Sequence, residues 1–168
     1  EAVKSNFLAA SNMPPEANIY IIAVPTPFKS IRKKSPVPDI SYIESSIKNI
    51  SRVLPNKCLI ILESTSPVGT TKKIENLLKK LRPDIEFNLA YCPERVNPGD
   101  SEHGVSSVSR IIGCDSEEVG SKLVDLYSMI TTSECSFVGS MEIAEAAKMV
   151  ENVQRDIDIA FTNELAVT

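Results

Sequence analysis

The chain has 168 residues, of which 42% are apolar and 24% are charged, and a formal net charge of −4 at neutral pH. This length and composition predict one globular domain with a hydrophobic core of its own. The mild acidity, and the absence of any run of roughly 18 apolar residues, argue against nucleic acid and membranes as partners.

Strand-like and helix-like segments alternate along most of the chain. The strands are predicted at 18–24, 58–63, 87–91, 110–113 and, more weakly, 136–138. The helices are predicted at 39–54, 70–81, 116–129 and 141–167, with Asp39 and Ser116 as N-caps. The first two strands are continuously apolar, as is typical of parallel strands covered on both faces. The order predicts an α/β fold with a doubly wound, mostly parallel sheet and right-handed crossovers.

The last helix contains neither Pro nor Gly, and its apolar residues recur mostly three and four positions apart. We expect these residues to form a buried stripe: Ile143, Ala147, Val150, Ile157, Phe161 and Leu165. Beside the stripe, Lys148 and Asn152 lie four residues apart and point the same way, with Arg155 one turn further. Two interpretations stay open on this helix alone, a site that binds an anionic or carbonyl oxygen and a solvated edge with a Glu145–Lys148 pair.

Cysteine and histidine usage gives no support for a metal site. The cysteines stand at positions 58, 92, 114 and 135, no C-x-x-C pair occurs, and His103 is the only histidine. Three cysteines lie in or beside apolar segments, where a free thiol behaves as a small hydrophobic group. Because the first residues also lack the features of a signal peptide, we expect a reduced, cytoplasmic protein.

Three loops follow the carboxyl ends of strands, where doubly wound sheets bind ligands. In the first, 24–28, two prolines fix a stiff surface around Thr26 that suits a flat ring or a ribose, although a plain proline-rich turn is an equal alternative. The second, 63–71, brings five hydroxyl groups to a helix N-terminus, which favours an anion or a fixed water. In the third, 90–100, Glu94 is placed for acid/base chemistry, and Arg95 either neutralises it or binds phosphate. Cys92 has no histidine to activate it and is interpreted as structural.

Four segments together resemble the nucleotide-sugar 6-dehydrogenases, the family of UDP-glucose dehydrogenase. They are 23–28, 62–71, 91–96 and 147–156, in the order and spacing of that family. The resemblance is strongest to the branch that oxidises UDP-N-acetylhexosamines, UDP-N-acetyl-D-mannosamine in particular. It implies a Rossmann-like fold and a two-step oxidation of the sugar C6 alcohol to a carboxylate with two NAD+, for surface polysaccharide precursors. UDP-GlcNAc, UDP-GalNAc and UDP-glucose are alternative substrates, and a non-catalytic nucleotide-binding or dimerisation module is an alternative of another class.

The same resemblance implies roles for individual residues. The NAD site would be lined by Val24, Pro25, Thr26 and Ser64. Substrate contacts would come from Arg95 and Arg155. The catalytic residues would be Thr65 holding a water, Glu94 in acid/base chemistry, and Lys148 and Asn152 stabilising negative charge on oxygen. The last role suits a fixed ammonium group, because it stabilises developing charge with little reorganisation.

The chain departs from the family pattern in two motifs. It has no G-x-G-x-x-G turn, and it lacks the glycine-rich motif with the nucleophilic cysteine that follows the long helix in the family. We therefore expect 1–139 to be a partial NAD-binding domain without its first strands, and 140–168 to connect it to a substrate domain. Alone, the chain is expected to be inactive. The intact parent is expected to form a homodimer through the long helix and the domain after it.

Overall fold

The computed structural model describes residues 14–29, 36–94 and 106–167. The strands in these ranges are β1 (Ile19–Ile22), β2 (Cys58–Leu62), β3 (Phe87–Tyr91), β4 (Arg110–Cys114) and β5 (Cys135–Phe137). The helices are α1 (Ser41–Ile50), α2 (Thr70–Leu81), α3 (Glu117–Ser128) and α4 (Met141–Val167). Every predicted element is present, although β1 and α1 are shorter than the sequence indicated.

The five strands form one sheet in the order β1-β2-β3-β4-β5. The pairs β1–β2, β2–β3 and β4–β5 are parallel, whereas β3–β4 is antiparallel. The parallel pairs are each connected through a helix, as parallel neighbours require. The predicted α/β fold with a mostly parallel sheet is confirmed.

Helices cover both faces of the sheet, so the sheet divides the hydrophobic core into two clusters. On one face, α1, α2 and the start of α4 pack on Tyr20, Ile60, Leu62 and other buried residues of the first three strands. On the other face, α3 contributes Leu123 and Tyr127 to a smaller cluster. Among the described residues, α3 is the one helix on that second face. Ile19 and Ile21 of β1 remain about half exposed there, at 48% and 56%.

The two predicted N-caps have different outcomes. Ser116 caps α3, since its hydroxyl accepts a hydrogen bond of 3.3 Å from the Val119 N–H. The prediction for Asp39 is wrong by one position, because Ile40 is the N-cap of α1 and makes no side-chain cap bond. Asp39 instead accepts a 3.0 Å bond from the N–H of Ser41, two residues on, as in an Asx-turn.

The predicted burial of the apolar stripe on α4 is also wrong. The buried residues of this helix are Met141, Ala144, Glu145 and Lys148. Five of the six stripe residues are more than half exposed, namely Ile143, Val150, Ile157, Phe161 and Leu165. Helix α4 contacts the sheet at β3 and β4, and its buried residues all lie in its first eight positions. At about 100° per residue, the apolar stripe lies on the opposite side of the helix from this buried face.

A glycine on β4 allows α4 to lie close to the sheet. A Cβ atom at Gly113 would come within 2.8 Å of the Ala144 Cβ and the Met141 Cα. Only a residue without a side chain permits this approach. Within the ranges given above, no helix combines the length and apolar composition that crossing a bilayer requires.

Candidate active site

The loops after β1 and β2 lie side by side at the carboxyl edge of the sheet. The Thr26 hydroxyl donates to the carbonyl of Thr65 at 2.7 Å. The Ser64 hydroxyl donates to the carbonyl of Val24, also at 2.7 Å. Each bond joins a side chain of one loop to the backbone of the other, so the two loops form one polar shelf.

A cavity of about 320 Å³, which we name the strand-end cavity, opens directly above these strand ends. Its lining residues are Ala23, Val24, Pro25, Thr26, Glu63, Ser64, Thr65 and Glu94. All four residues that the sequence assigned to the cofactor are in this group. Thr65 and Glu94, which the sequence assigned to catalysis, are in it as well.

A second cavity of about 500 Å³, the helix-side cavity, lies between the two loops and α4. The loops contribute Thr26, Phe28, Pro38, Thr65, Ser66 and Pro67, and the helix contributes Met149, Asn152, Val153, Arg155 and Asp156. Asn152 and Arg155 therefore share a cavity with Thr65. Since Thr26 and Thr65 line both cavities, they form the wall between them.

Ser66 adds a polar atom to this wall. Its hydroxyl oxygen is buried and has no hydrogen-bond partner among the described residues. Its backbone N–H donates to the phenol oxygen of Tyr91 at 3.3 Å. Buried hydroxyl groups of this kind are commonly satisfied by an ordered water.

Lys148 lies on the buried face of α4, with only 4% of its surface exposed. Its ammonium nitrogen is 3.5 Å from a carboxylate oxygen of Glu151. It is absent from the linings of both cavities, although Asn152, one turn later, belongs to the helix-side cavity. Burial of Lys148 and Glu145 contradicts the solvated-edge interpretation of this face.

The predicted anion site at the start of α2 is filled by a side chain of the same chain. Glu145 of α4, with 0% exposure, accepts a 2.6 Å bond from the N–H of Gly69 and a 2.8 Å bond from the N–H of Thr71. This helix N-terminus is therefore not an open ligand site. The sequence pattern did not reveal this contact, since it presented Glu145 only as a surface neighbour of Lys148.

Glu63 is a second residue that sequence reasoning missed. Its Oε1 accepts from the Tyr127 hydroxyl at 2.7 Å and from Arg110 at 3.3 Å. The Arg110 guanidinium also lies 4.9 Å from the centre of the Tyr127 ring. Burial raises the pKa of the Tyr127 phenol, which thus stays protonated as a donor. The position of Glu63, directly after an apolar strand, was a usable signal.

Cys92 is fully buried beside this group. Burial raises the pKa of its thiol to about 11, so the nucleophilic thiolate is scarce at neutral pH. This supports the structural role predicted for it. Arg95 and His103 lie outside the described residues. Within the three described ranges, no cluster of three or more His, Cys, Asp or Glu side chains is placed to hold a metal ion.

A mostly parallel sheet with helices on both faces, and cavities beyond its strand ends, defines a ligand-binding α/β protein of the doubly wound class, to which the dinucleotide-binding proteins belong. The model of the UDP-glucose/GDP-mannose dehydrogenase family, NAD binding domain, matches residues 1–131. The chain therefore belongs to this NAD-binding dehydrogenase family.

Curated relatives and solved structures agree with this membership. UDP-N-acetyl-D-mannosamine dehydrogenase from Escherichia coli (strain K12) is 42% identical over 176 residues, covering 99% of this chain and 41% of that protein. NDP-N-acetyl-D-galactosaminuronic acid dehydrogenase from Ralstonia nicotianae is 38% identical, covering 99% and 40%. A structure of UDP-D-ManNAc dehydrogenase from Pyrococcus horikoshii has a TM-score of 0.79 and 36% identity, covering 91% and 36%. The chain thus spans about two fifths of the length of the curated relatives it matches.

Proposed function

We propose that the full-length gene product containing this chain is an NAD-dependent UDP-N-acetyl-D-mannosamine 6-dehydrogenase. It oxidises the C6 alcohol of the sugar to a carboxylate in two steps and supplies precursors of surface polysaccharides. The observation that carries this proposal is the pair of cavities that share Thr26 and Thr65 as a wall. One side offers a cofactor surface, and the other presents polar groups of a helix to a substrate.

The strand-end cavity fits the nicotinamide and ribose end of NAD in its chemistry. Val24 and Pro25 give an apolar surface for a flat ring, and Ser64, Thr26 and Glu63 give polar atoms for ribose hydroxyls. Its volume of about 320 Å³ suits part of a dinucleotide. When bound, NAD+ accepts a hydride from the carbon that is oxidised.

The helix-side cavity is the proposed site of the sugar. Thr65, in the wall, holds a water near the reacting carbon, and Asn152 donates its amide to an oxygen that gains negative charge. Lys148, on the same side of α4, adds a positive charge that burial keeps poorly screened. Glu94 moves the proton, while Arg155 and Arg95 contact the anionic part of the substrate.

The wider assignments belong to the same proposal. Residues 1–139 form part of an NAD-binding domain, and 140–168 connect it to a substrate domain in the cytoplasmic full-length protein. The chain alone is inactive, because a nucleophilic cysteine from that later domain is required. The apolar stripe of α4 is covered by a second copy in a homodimer.

Formation of NADH by the purified full-length gene product tests the function. We expect oxidation of UDP-N-acetyl-D-mannosamine to exceed that of UDP-GlcNAc, UDP-GalNAc and UDP-glucose. UDP-GalNAc is the strongest competitor, given the name of the Ralstonia relative. No NADH with any of the four would refute the proposed function, and preference for another sugar would correct the substrate.

The variant Lys148→Ala tests the charge-stabilising role. Loss of a preorganised charge near the reacting oxygen is expected to lower kcat by about 100-fold or more. Lys122→Ala is the matched control, since Lys122 is exposed on α3 and pairs with Glu118 on the surface. Activity of Lys148→Ala close to that of the control would remove Lys148 from the mechanism.

A further inference from the structure

Glu145 forms a buried connection between α4 and the loop that precedes α2. Its two carboxylate oxygens accept from the N–H groups of Gly69 and Thr71, 76 and 74 residues away in sequence. Lys148 follows Glu145 by three residues and Asn152 by seven, so all three lie on one side of α4. The contact therefore joins the loop containing Thr65 to the helix face that carries the two proposed charge-stabilising residues.

The start of α2 needs a cap from elsewhere in the chain. Its N-cap residue is Gly69, at a φ of +86°, which has no side chain to cap the helix. The N–H of Thr70 bonds to the carbonyl of Pro67 at 3.1 Å. Glu145 accepts from the N–H groups of Gly69 and Thr71, the residues on either side of Thr70. A carboxylate at this position is also favoured by the helix dipole.

The two contacts that seat α4 fix different coordinates of the helix. The close approach of Ala144 to Gly113 sets the distance of α4 from the sheet. The bidentate bond of Glu145 sets the rotation of α4 about its own axis. It also sets where α4 lies along the loop that precedes α2. From Val150 onward most side chains of α4 are exposed, so these early contacts determine where Asn152 lies relative to Thr65.

We infer that Glu145 is a positioning residue for this dehydrogenase. By capping α2, its carboxylate holds Lys148 and Asn152 at a fixed separation from Thr65 across the helix-side cavity. It does not contact the reacting atoms, since both of its oxygens bond to backbone N–H groups of the protein. The inference rests on the proposed function, because it assigns the supporting contact for the residues proposed to act there.

The test is Glu145→Gln in the full-length gene product. The N–H groups of Gly69 and Thr71 bond to different carboxylate oxygens. In glutamine one of these oxygens becomes an NH2 donor that faces a backbone N–H, so one of the two bonds is lost. Small misplacement of the oxygen-binding groups is expected to lower kcat by about 10-fold to 100-fold. KM for NAD+ and for the UDP-sugar should change by less than about threefold, because uniform binding is retained.

A double-mutant cycle with Lys148→Ala separates positioning from general damage. Because Glu145 places Asn152 as well as Lys148, Glu145→Gln should still lower the residual kcat of Lys148→Ala, but by a factor about threefold or more smaller than the factor by which it lowers wild-type kcat. Leu78→Ala is the matched control, because Leu78 is buried on α2 and lines neither cavity. It should lower Tm while leaving kcat within about threefold of wild type at 25 °C.

The inference is overturned if Glu145→Gln leaves kcat unchanged, or if the losses of kcat in the two single variants multiply in the double variant. It is also overturned if Glu145→Gln and Leu78→Ala have the same Tm and Glu145→Gln loses no more kcat than Leu78→Ala. If Glu145→Gln does not fold, Glu145→Asp enters the same cycle. Amide hydrogen exchange gives a readout independent of activity, since Glu145→Gln should speed exchange at Gly69 and Thr71 by about 10-fold or more. If the wild-type protein has no dehydrogenase activity and Glu145→Gln still speeds this exchange, the proposed function fails while the capping contact stands.

Discussion

The buried thiol of Cys92 should make the fold less stable at alkaline pH. Burial raises its pKa to about 11, against an ordinary value of 9.0. Between these values the unfolded chain loses the proton while the folded chain retains it, so the free energy of unfolding falls as pH rises. The expected loss is about 2–3 kcal/mol over this window, and the contribution is fully present below pH 9.

Urea unfolding of wild type and Cys92→Ala at pH 7 and pH 10 measures this contribution. Wild type should lose more stability between the two pH values than the variant, because only wild type has this thiol to ionise on unfolding. Other buried cysteines remain in both proteins and cancel in the comparison. Equal losses in the two proteins would show that Cys92 ionises equally well in the folded state.

At the scale of residues, local patterns identified groups by type and position but not by distant partner. Lys148 and Asn152 were recognised because their spacing places them on one helix face. Glu145 has the same spacing, yet its role depends on N–H groups 76 and 74 residues away. Glu63 likewise depends on Tyr127, which is 64 residues away. Such contacts depend on how distant segments pack in the fold, which local patterns in a single sequence do not reveal.

At the scale of elements, the contact between β4 and α4 depends on one glycine. A Cβ at Gly113 would lie 2.7 Å from the Ser140 carbonyl oxygen and 2.8 Å from the Met141 Cα, both of them backbone atoms. Gly113→Ala should therefore push α4 away from the sheet and lower the free energy of unfolding by about 1–3 kcal/mol. Chemical denaturation measures this change.

Gly139→Ala gives the comparison for that prediction. Its Cβ would have nothing within 4 Å, and its cost comes only from the positive φ of +84°. That cost is expected to be about 1 kcal/mol. In the full-length enzyme, Gly113→Ala should also lower kcat, whereas Gly139→Ala should not. Wild-type stability of Gly113→Ala would show that the close approach is not tight.

Hydrophobic periodicity predicted the elements well but not all of their neighbours. The bounds of α2 and α4 agree with the spacing of apolar residues, and the continuous apolar runs of β1 and β2 indicated parallel pairing. The antiparallel β3–β4 pair was not predicted, although the lack of a helical pattern between these strands is a usable signal for it. For α4, the pattern predicted an apolar face without indicating what covers it.

At the scale of the whole molecule, α4 has one buried face and one exposed apolar face. One face, in its first turns, packs on the sheet and caps α2. The opposite face presents Val150, Ile157, Phe161 and Leu165, each more than 60% exposed. An exposed row of large apolar side chains of this kind is typical of an interface. We propose that a second copy covers it, which makes the same helix both the support of the site and the dimer contact.

Phe161→Glu in the full-length gene product tests this arrangement. An unpaired carboxylate buried in an apolar interface costs several kcal/mol, roughly enough to dissociate a dimer at micromolar concentration. Sedimentation velocity should then show a dimer for wild type and a monomer for the variant. Ile159→Glu is the matched control, because Ile159 is also about half exposed but lies on the other side of the helix, two positions before Phe161. If the dimer persists in Phe161→Glu, or is lost equally in Ile159→Glu, the interface lies elsewhere. The apolar face is then covered by the remainder of the full-length protein.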